Sequence, residues 1–79
     1  MKIEVRLFAN LAAYLPPGAR RDAATVEVPD AATVADVARW LQIPDDLPRL
    51  VLVNGRDATA DQPLVPGDVV TLYPPLAGG

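Results

Sequence analysis

Polar and apolar residues alternate from residue 2 to residue 7, and the period of two carries on through Phe8. Ile3, Val5 and Leu7 fall on one side of an extended chain, and Glu4, Arg6 and Phe8 on the other. A period of two predicts a strand that buries one face. The period then changes: Leu11, Tyr14 and Leu15 recur at helical spacing over residues 10 to 15 and stop at Pro16-Pro17-Gly18, which predicts a short helical turn. Thr25-Val26-Glu27-Val28, closed by Pro29, reads as a second strand, reached through a loose connection that makes antiparallel pairing with the first the simplest arrangement.

Thr33 opens the main helix, with Asp36 three residues on approximating a capping box. Val34, Val37, Ala38 and Leu41 form its apolar stripe, and Pro44 ends it. Trp40 lies just beside that stripe, and a large aromatic side chain in that position is expected to be an interior anchor. Leu50-Val51-Leu52-Val53 is a continuous apolar run with no polar face, so a central strand is expected there. Asn54-Gly55 then gives a hairpin signal, with Arg56-Asp57-Ala58 as a brief return arm. Pro63, Pro66 and Gly67 lead into a last strand, Val69 to Tyr73. In it Val70 and Leu72 should face inward, and Val69, Thr71 and Tyr73 outward.

The order is therefore ββαβββ. One main helix covering one face of a mixed sheet of four or five strands makes an α+β domain of two layers. With 79 residues the chain has room for a single domain, taken as residues 1–73, followed by a tail over residues 74–79.

Composition narrows the chemistry. Seven basic and ten acidic groups leave a net charge of −3, and Arg20-Arg21 is the only basic cluster, so binding to a nucleic-acid backbone is not expected. No apolar run approaches the roughly 20 residues of a membrane span, and the start shows no cleavable apolar segment, which predicts a soluble cytoplasmic protein. The chain has no cysteine, histidine or serine. The usual nucleophiles and general bases are thus missing, and no pairing of the remaining threonines, tyrosines, carboxylates and Lys2 suggests a self-contained active site. Asp57, Asp61 and Asp68 lack the spacing and closing glutamate of a calcium loop, so no metal is expected; Asp57 and Asp68 fit turns instead.

The candidate reactive element is the ending Tyr73-Pro74-Pro75-Leu76-Ala77-Gly78-Gly79. Two glycines can thread a channel too narrow for any side chain. The six residues from Pro74 to Gly79 reach roughly 20 Å when extended. Pro74 and Pro75 reduce the entropy lost on ordering that tail because their φ is already fixed, or else simply block a further ladder bond. Leu76 offers an apolar anchor. With the first and last strands adjacent, Phe8 and Tyr73 would form an exposed aromatic pair close to the tail, the kind of patch that marks an interface.

Val5-Arg6-Leu7-Phe8-Ala9-Asn10-Leu11, Leu52-Val53-Asn54-Gly55 and Leu64-Val65-Pro66-Gly67-Asp68-Val69-Val70, together with the Pro-Pro-x-x-Gly-Gly ending, give the whole chain a resemblance to the molybdopterin synthase small subunit. More broadly, it resembles the sulfur-carrier family of ubiquitin-like β-grasp proteins, which includes the thiamine-pathway carrier and ubiquitin-like modifiers. The proline pair favours the molybdenum branch. Asp57 departs from the pattern, standing where an apolar contact to the large subunit is expected.

The resemblance implies that the Gly79 carboxylate, next to Gly78, is adenylated by an ATP-using activating enzyme related to the first enzyme of ubiquitin conjugation. A desulfurase or rhodanese-like sulfur donor then converts it to a thiocarboxylate. The large synthase subunit uses that sulfur to build the dithiolene of molybdopterin. Phe8, Tyr73, Pro74, Pro75, Leu76 and Ala77 are the expected partner contacts. The carrier would bind no cofactor and would not be catalytic alone. Two other outcomes stay open: carriage of sulfur to the thiamine thiazole or another pathway, and conjugation through Gly79 as a protein modifier. A plain β-grasp interaction module is the third alternative.

Overall fold

The computed structural model describes residues 1–75. Its elements follow the expected order: β1 (Lys2–Leu7), a 3₁₀ helix (Ala9–Tyr14), β2 (Ala23–Glu27), α1 (Val34–Trp40), β3 (Leu50–Val53), β4 (Arg56–Asp57) and β5 (Val69–Tyr73). The five strands form one mixed sheet in the order β2-β1-β5-β3-β4. β1 runs antiparallel to β2 and parallel to β5, and β5 is antiparallel to β3. This is the ubiquitin-like β-grasp.

The alternation in β1 decides which face is buried. Ile3, Val5 and Leu7 are sealed in the core, and the register sets Val5 beside Val70 and Leu7 beside Leu72. Val26 from β2 and Val53 from β3 join the same face. α1 closes this layer with Val34, Val37, Ala38 and Leu41, the stripe read from the sequence. Ile43 and Leu64 complete it from the connecting loops.

The helix start is a full capping box. Asp36 N donates to Thr33 Oγ1 at 3.2 Å, and Thr33 N donates to Asp36 Oδ2 at 2.9 Å. That backbone donor, followed by the guanidinium of Arg39, holds the Asp36 carboxyl below its ordinary range. The contribution of this carboxylate is therefore complete above its unfolded value and fades as the pH falls through the lowered one. Replacing Thr33 with alanine is expected to destabilise the fold by about 1 kcal/mol, read from the midpoint of urea unfolding.

The helix stops earlier than Pro44. Leu41 is the C-cap and Gln42 takes a left-handed φ of 64°, which turns Ile43 back so that its N–H reaches the Ala38 carbonyl at 3.0 Å. Two elements are present with shifted bounds, and one further expectation is corrected. The turn at residues 10 to 15 is a 3₁₀ helix starting at Ala9. The second strand starts two residues earlier than Thr25, at Ala23. Trp40 is not an interior anchor: it is 62% exposed, because it projects from the helix on the side away from the sheet while Val37 and Leu41 take the buried positions.

β3 is interior to the sheet, but only Leu52 and Val53 are covered on its far side by the two-residue β4. Its apolar run is not buried throughout: Val53 is, whereas Leu50 is 45% exposed. No helix among the described residues is long and apolar enough to cross a membrane.

Candidate functional site

The outer face of the sheet and the end of β5 make up the candidate site. Two sequence features bring it together. β1 and β5 are parallel neighbours, so both strands finish at the same end of the sheet. Past Leu7, Phe8 keeps an extended backbone at φ −115° and ψ 158° and donates its N–H to the Leu72 carbonyl at 3.2 Å. Phe8 therefore stands one register step beyond the Leu7 and Leu72 pair, beside Tyr73 and on the outer face.

The alternation of β5 holds as predicted. Val70 and Leu72 are fully buried, while Val69, Thr71 and Tyr73 lie part-exposed on the other side. Phe8 is 37% exposed, so it is not tucked beneath the 3₁₀ helix. That helix packs through Leu11, whose N–H bonds to the Phe8 carbonyl at 3.0 Å.

Leu50 and Leu52 belong to this surface and were not singled out from the sequence. Leu50 pairs with Tyr73, and Leu52 with Thr71. The outer face thus carries Phe8, Tyr73 and Leu50 across its tail end, with Leu52 one row below. The signal that could have found them is the period of two inside the Leu50 to Val53 run, once aligned on the antiparallel partner Tyr73. Asp57 pairs with Leu52 from the exposed edge strand β4, so a carboxylate bounds the apolar surface on that side. On the other side Arg6, in register with Thr71, is held to Glu4 Oε2 through its Nε at 2.6 Å. The site is an apolar strip bordered by charge.

Directly after Tyr73 the chain leaves the ladder at Pro74, which is half-buried, and Pro75, which is exposed. Neither proline has an N–H to donate, so β5 cannot be extended as a paired strand there. Leu76, Ala77, Gly78 and Gly79 lie outside the described residues.

A second polar cluster supports the start of β5. Asp68 is 8% exposed. Its Oδ1 accepts from Asn54 Nδ2 at 2.8 Å, and its Oδ2 accepts from the Val65 backbone N–H at 2.9 Å. Asn54 Oδ1 in turn accepts from the Val69 N–H at 2.9 Å, and the Asn54 N–H donates to the Val69 carbonyl at 2.8 Å. The Asn-Gly and Pro-Gly-Asp turns, far apart in sequence, are therefore one unit that fixes where β5 begins. Gly55 and Gly67 take the positive φ values these turns need, 82° and 87°. Among the described residues no group of three or more aspartates or glutamates is gathered as a metal site requires.

Comparison with known proteins agrees with this geometry. A family model described as Mut7-C ubiquitin matches residues 1–77. Among solved structures, the chain is similar to SAMP1 of Haloferax volcanii, with 28% identity over the whole of both chains and a TM-score of 0.76. It is similar to the HVO 2177 protein of the same organism, with 34% identity, covering all of this chain and 87% of the other at a TM-score of 0.73. It is also similar to a putative molybdopterin converting factor subunit 1 of Pyrococcus furiosus, with 27% identity over 95% and 98% of the two chains and a TM-score of 0.73. No curated protein matches the chain.

Proposed function

Because the chain belongs to the Mut7-C ubiquitin family, a group of the ubiquitin-like sulfur-carrier and modifier type, we propose that it is a sulfur carrier whose reactive group is the Gly79 carboxylate. The observation that carries this reading is the position of β5. An interior strand, bonded on both sides, ends at Tyr73 beside an apolar outer face and passes straight into Pro74-Pro75 and the Gly-Gly sequence. A partner that grips the Phe8, Tyr73 and Leu50 face holds the root of the tail at a fixed place, with Pro74, Pro75, Leu76 and Ala77 leading toward its active site.

The chemistry needs nothing from the carrier except that carboxylate. A C-terminal carboxylate has an ordinary pKa of about 3.3 to 3.7, so it is ionised at neutral pH and is a poor electrophile. In the proposed sequence a carboxylate oxygen attacks the α-phosphorus of ATP on an activating enzyme, and pyrophosphate leaves. The terminal sulfur of a donor persulfide attacks the resulting acyl adenylate and AMP departs; a second thiol then cleaves the S–S bond of the acyl disulfide, ending in a disulfide with the donor sulfur and leaving the thiocarboxylate. The sulfur then passes to the substrate of a large partner subunit. The absence of histidine, cysteine and serine from the chain is compatible with this division of labour.

The likeness to a putative molybdopterin converting factor subunit 1 supports molybdopterin dithiolene synthesis as the destination of the sulfur. The likeness to SAMP1, small archaeal modifier protein 1, supports a second reading in which Gly79 is joined to amines of other proteins. Intact-mass measurement on the chain purified from its native host separates the two. Carriage predicts a fraction in which one oxygen of the C-terminus is replaced by sulfur. Modification predicts isopeptide-linked remnants of the chain on other proteins. Finding neither species overturns both readings.

A further inference from the structure

The helix side of the molecule carries a feature that sulfur carriage does not use. Trp40, the single tryptophan of the chain, stands 62% exposed at the end of α1 and forms a wall shared by two depressions. One, of about 220 Å³, has an apolar floor of Val28, Pro29 and Ala32, with Asp30 and Asp36 also lining it. No lysine or arginine lines it. The other, of about 380 Å³, is lined on its far side by Tyr14, Leu15 and Pro16.

We propose that this groove binds a basic, arginine-bearing peptide segment of a partner protein, with a guanidinium stacked on Trp40 and directed to Asp30. The charge of the groove selects the occupant. The Asp30 side chain is 93% exposed, and its one ion pair among the described residues is a 3.6 Å contact with the terminal ammonium of Met1. Asp36 has one oxygen on Arg39 and the other on the Thr33 N–H, so Asp30 is the carboxylate with capacity to spare. An indole face beside a carboxylate attracts a cation. A planar guanidinium suits the pair better than an ammonium, because it stacks flat while donating in its own plane. The apolar floor takes the methylene stem of the same side chain. The groove lies on the helix layer, opposite the face that carries Phe8, Tyr73 and Leu50, so a segment seated there leaves the root of the tail free for a second protein.

The test uses the whole chain and the fluorescence of Trp40. Titration with a synthetic peptide of alternating glycine and arginine is expected to give a saturable change in emission that disappears at high salt. A glycine and glutamate peptide of equal length is expected to give none. Asp30→Asn, which removes a charge that takes no part in the helix cap, should weaken the arginine peptide by about threefold or more. Amide shift mapping should confine the response to residues 28–41, and in Trp40→Ala, a change at an exposed position outside the core, that response should vanish. Absence of binding, equal binding of the acidic peptide, indifference to Asp30→Asn, or shifts centred on the outer sheet face would each overturn the proposal.

Discussion

Removing Gly78 and Gly79 is expected to abolish sulfur loading while moving the melting temperature by less than about 2 °C. The functional half follows from the proposed chemistry, since without those residues the activated carboxylate is neither at the required reach nor free of a side chain. The stability half follows from where the core is. Among the described residues every buried apolar side chain lies between Ile3 and Leu72, and the last ladder pair is Leu50 with Tyr73. Two glycines beyond that point contribute no side chain to the core. The measurement pairs calorimetry of the truncated chain with mass detection of thiocarboxylate after incubation with its activating enzyme, ATP and a sulfur donor. Retained loading would end the carrier reading, and a fall of many degrees would mean that the tail is part of the folded body.

Asp68→Ala is expected to destabilise the fold clearly, since Asp68 is buried and both its oxygens are bonded. The carboxylate accepts from a side-chain amide on one oxygen and from a backbone N–H on the other. Truncation leaves both donors without their partner; Asp68 is buried but Asn54 and Val65 are exposed, so water takes up part of the loss and the cost is about 1 to 3 kcal/mol in all. That loss corresponds to a drop in melting temperature of roughly 4 to 24 °C for a domain of this size. Asp68→Asn separates charge from geometry. Both oxygens accept, so an amide must set its own NH₂ against either the Val65 N–H or the Asn54 amide, and it should recover little. If Asp68→Asn melts with the parent chain, the paired-turn account is wrong.

Much of this fold was legible because its signals are local. The alternation in β1, the stripe of α1 and the bounds of β5 follow from periods that need only a few neighbouring residues, and they hold residue for residue. What escaped depends on contacts between distant segments. Trp40 was misplaced because proximity to a helical stripe does not say whether the layer behind it is thick enough to cover an indole; here Val37 and Leu41 already fill that space. Leu50 and Leu52 were hidden by their neighbours: four apolar residues in a row carry no visible period, and only pairing with Thr71 and Tyr73 shows which two face outward. Asn54 and Asp68 were each read as turn residues, correctly, but their mutual bond spans a loop whose closure no local pattern reports. In the candidate site, Phe8, Tyr73 and the proline pair were found from alternation and position, and the structure brings Phe8, Tyr73 and Pro74 together at one end of the sheet.

The central placement of β5 has a mechanical consequence. A pull delivered through Pro74 and opposed at Met1 runs along β5 and β1, which lie side by side and parallel. Such a load strains all the hydrogen bonds between them at once, in shear, instead of breaking them in succession from one end. A machine that seized this molecule by its tail would meet its stiffest direction first, whereas a grip on the short outer strand β4 would peel it open one bond at a time.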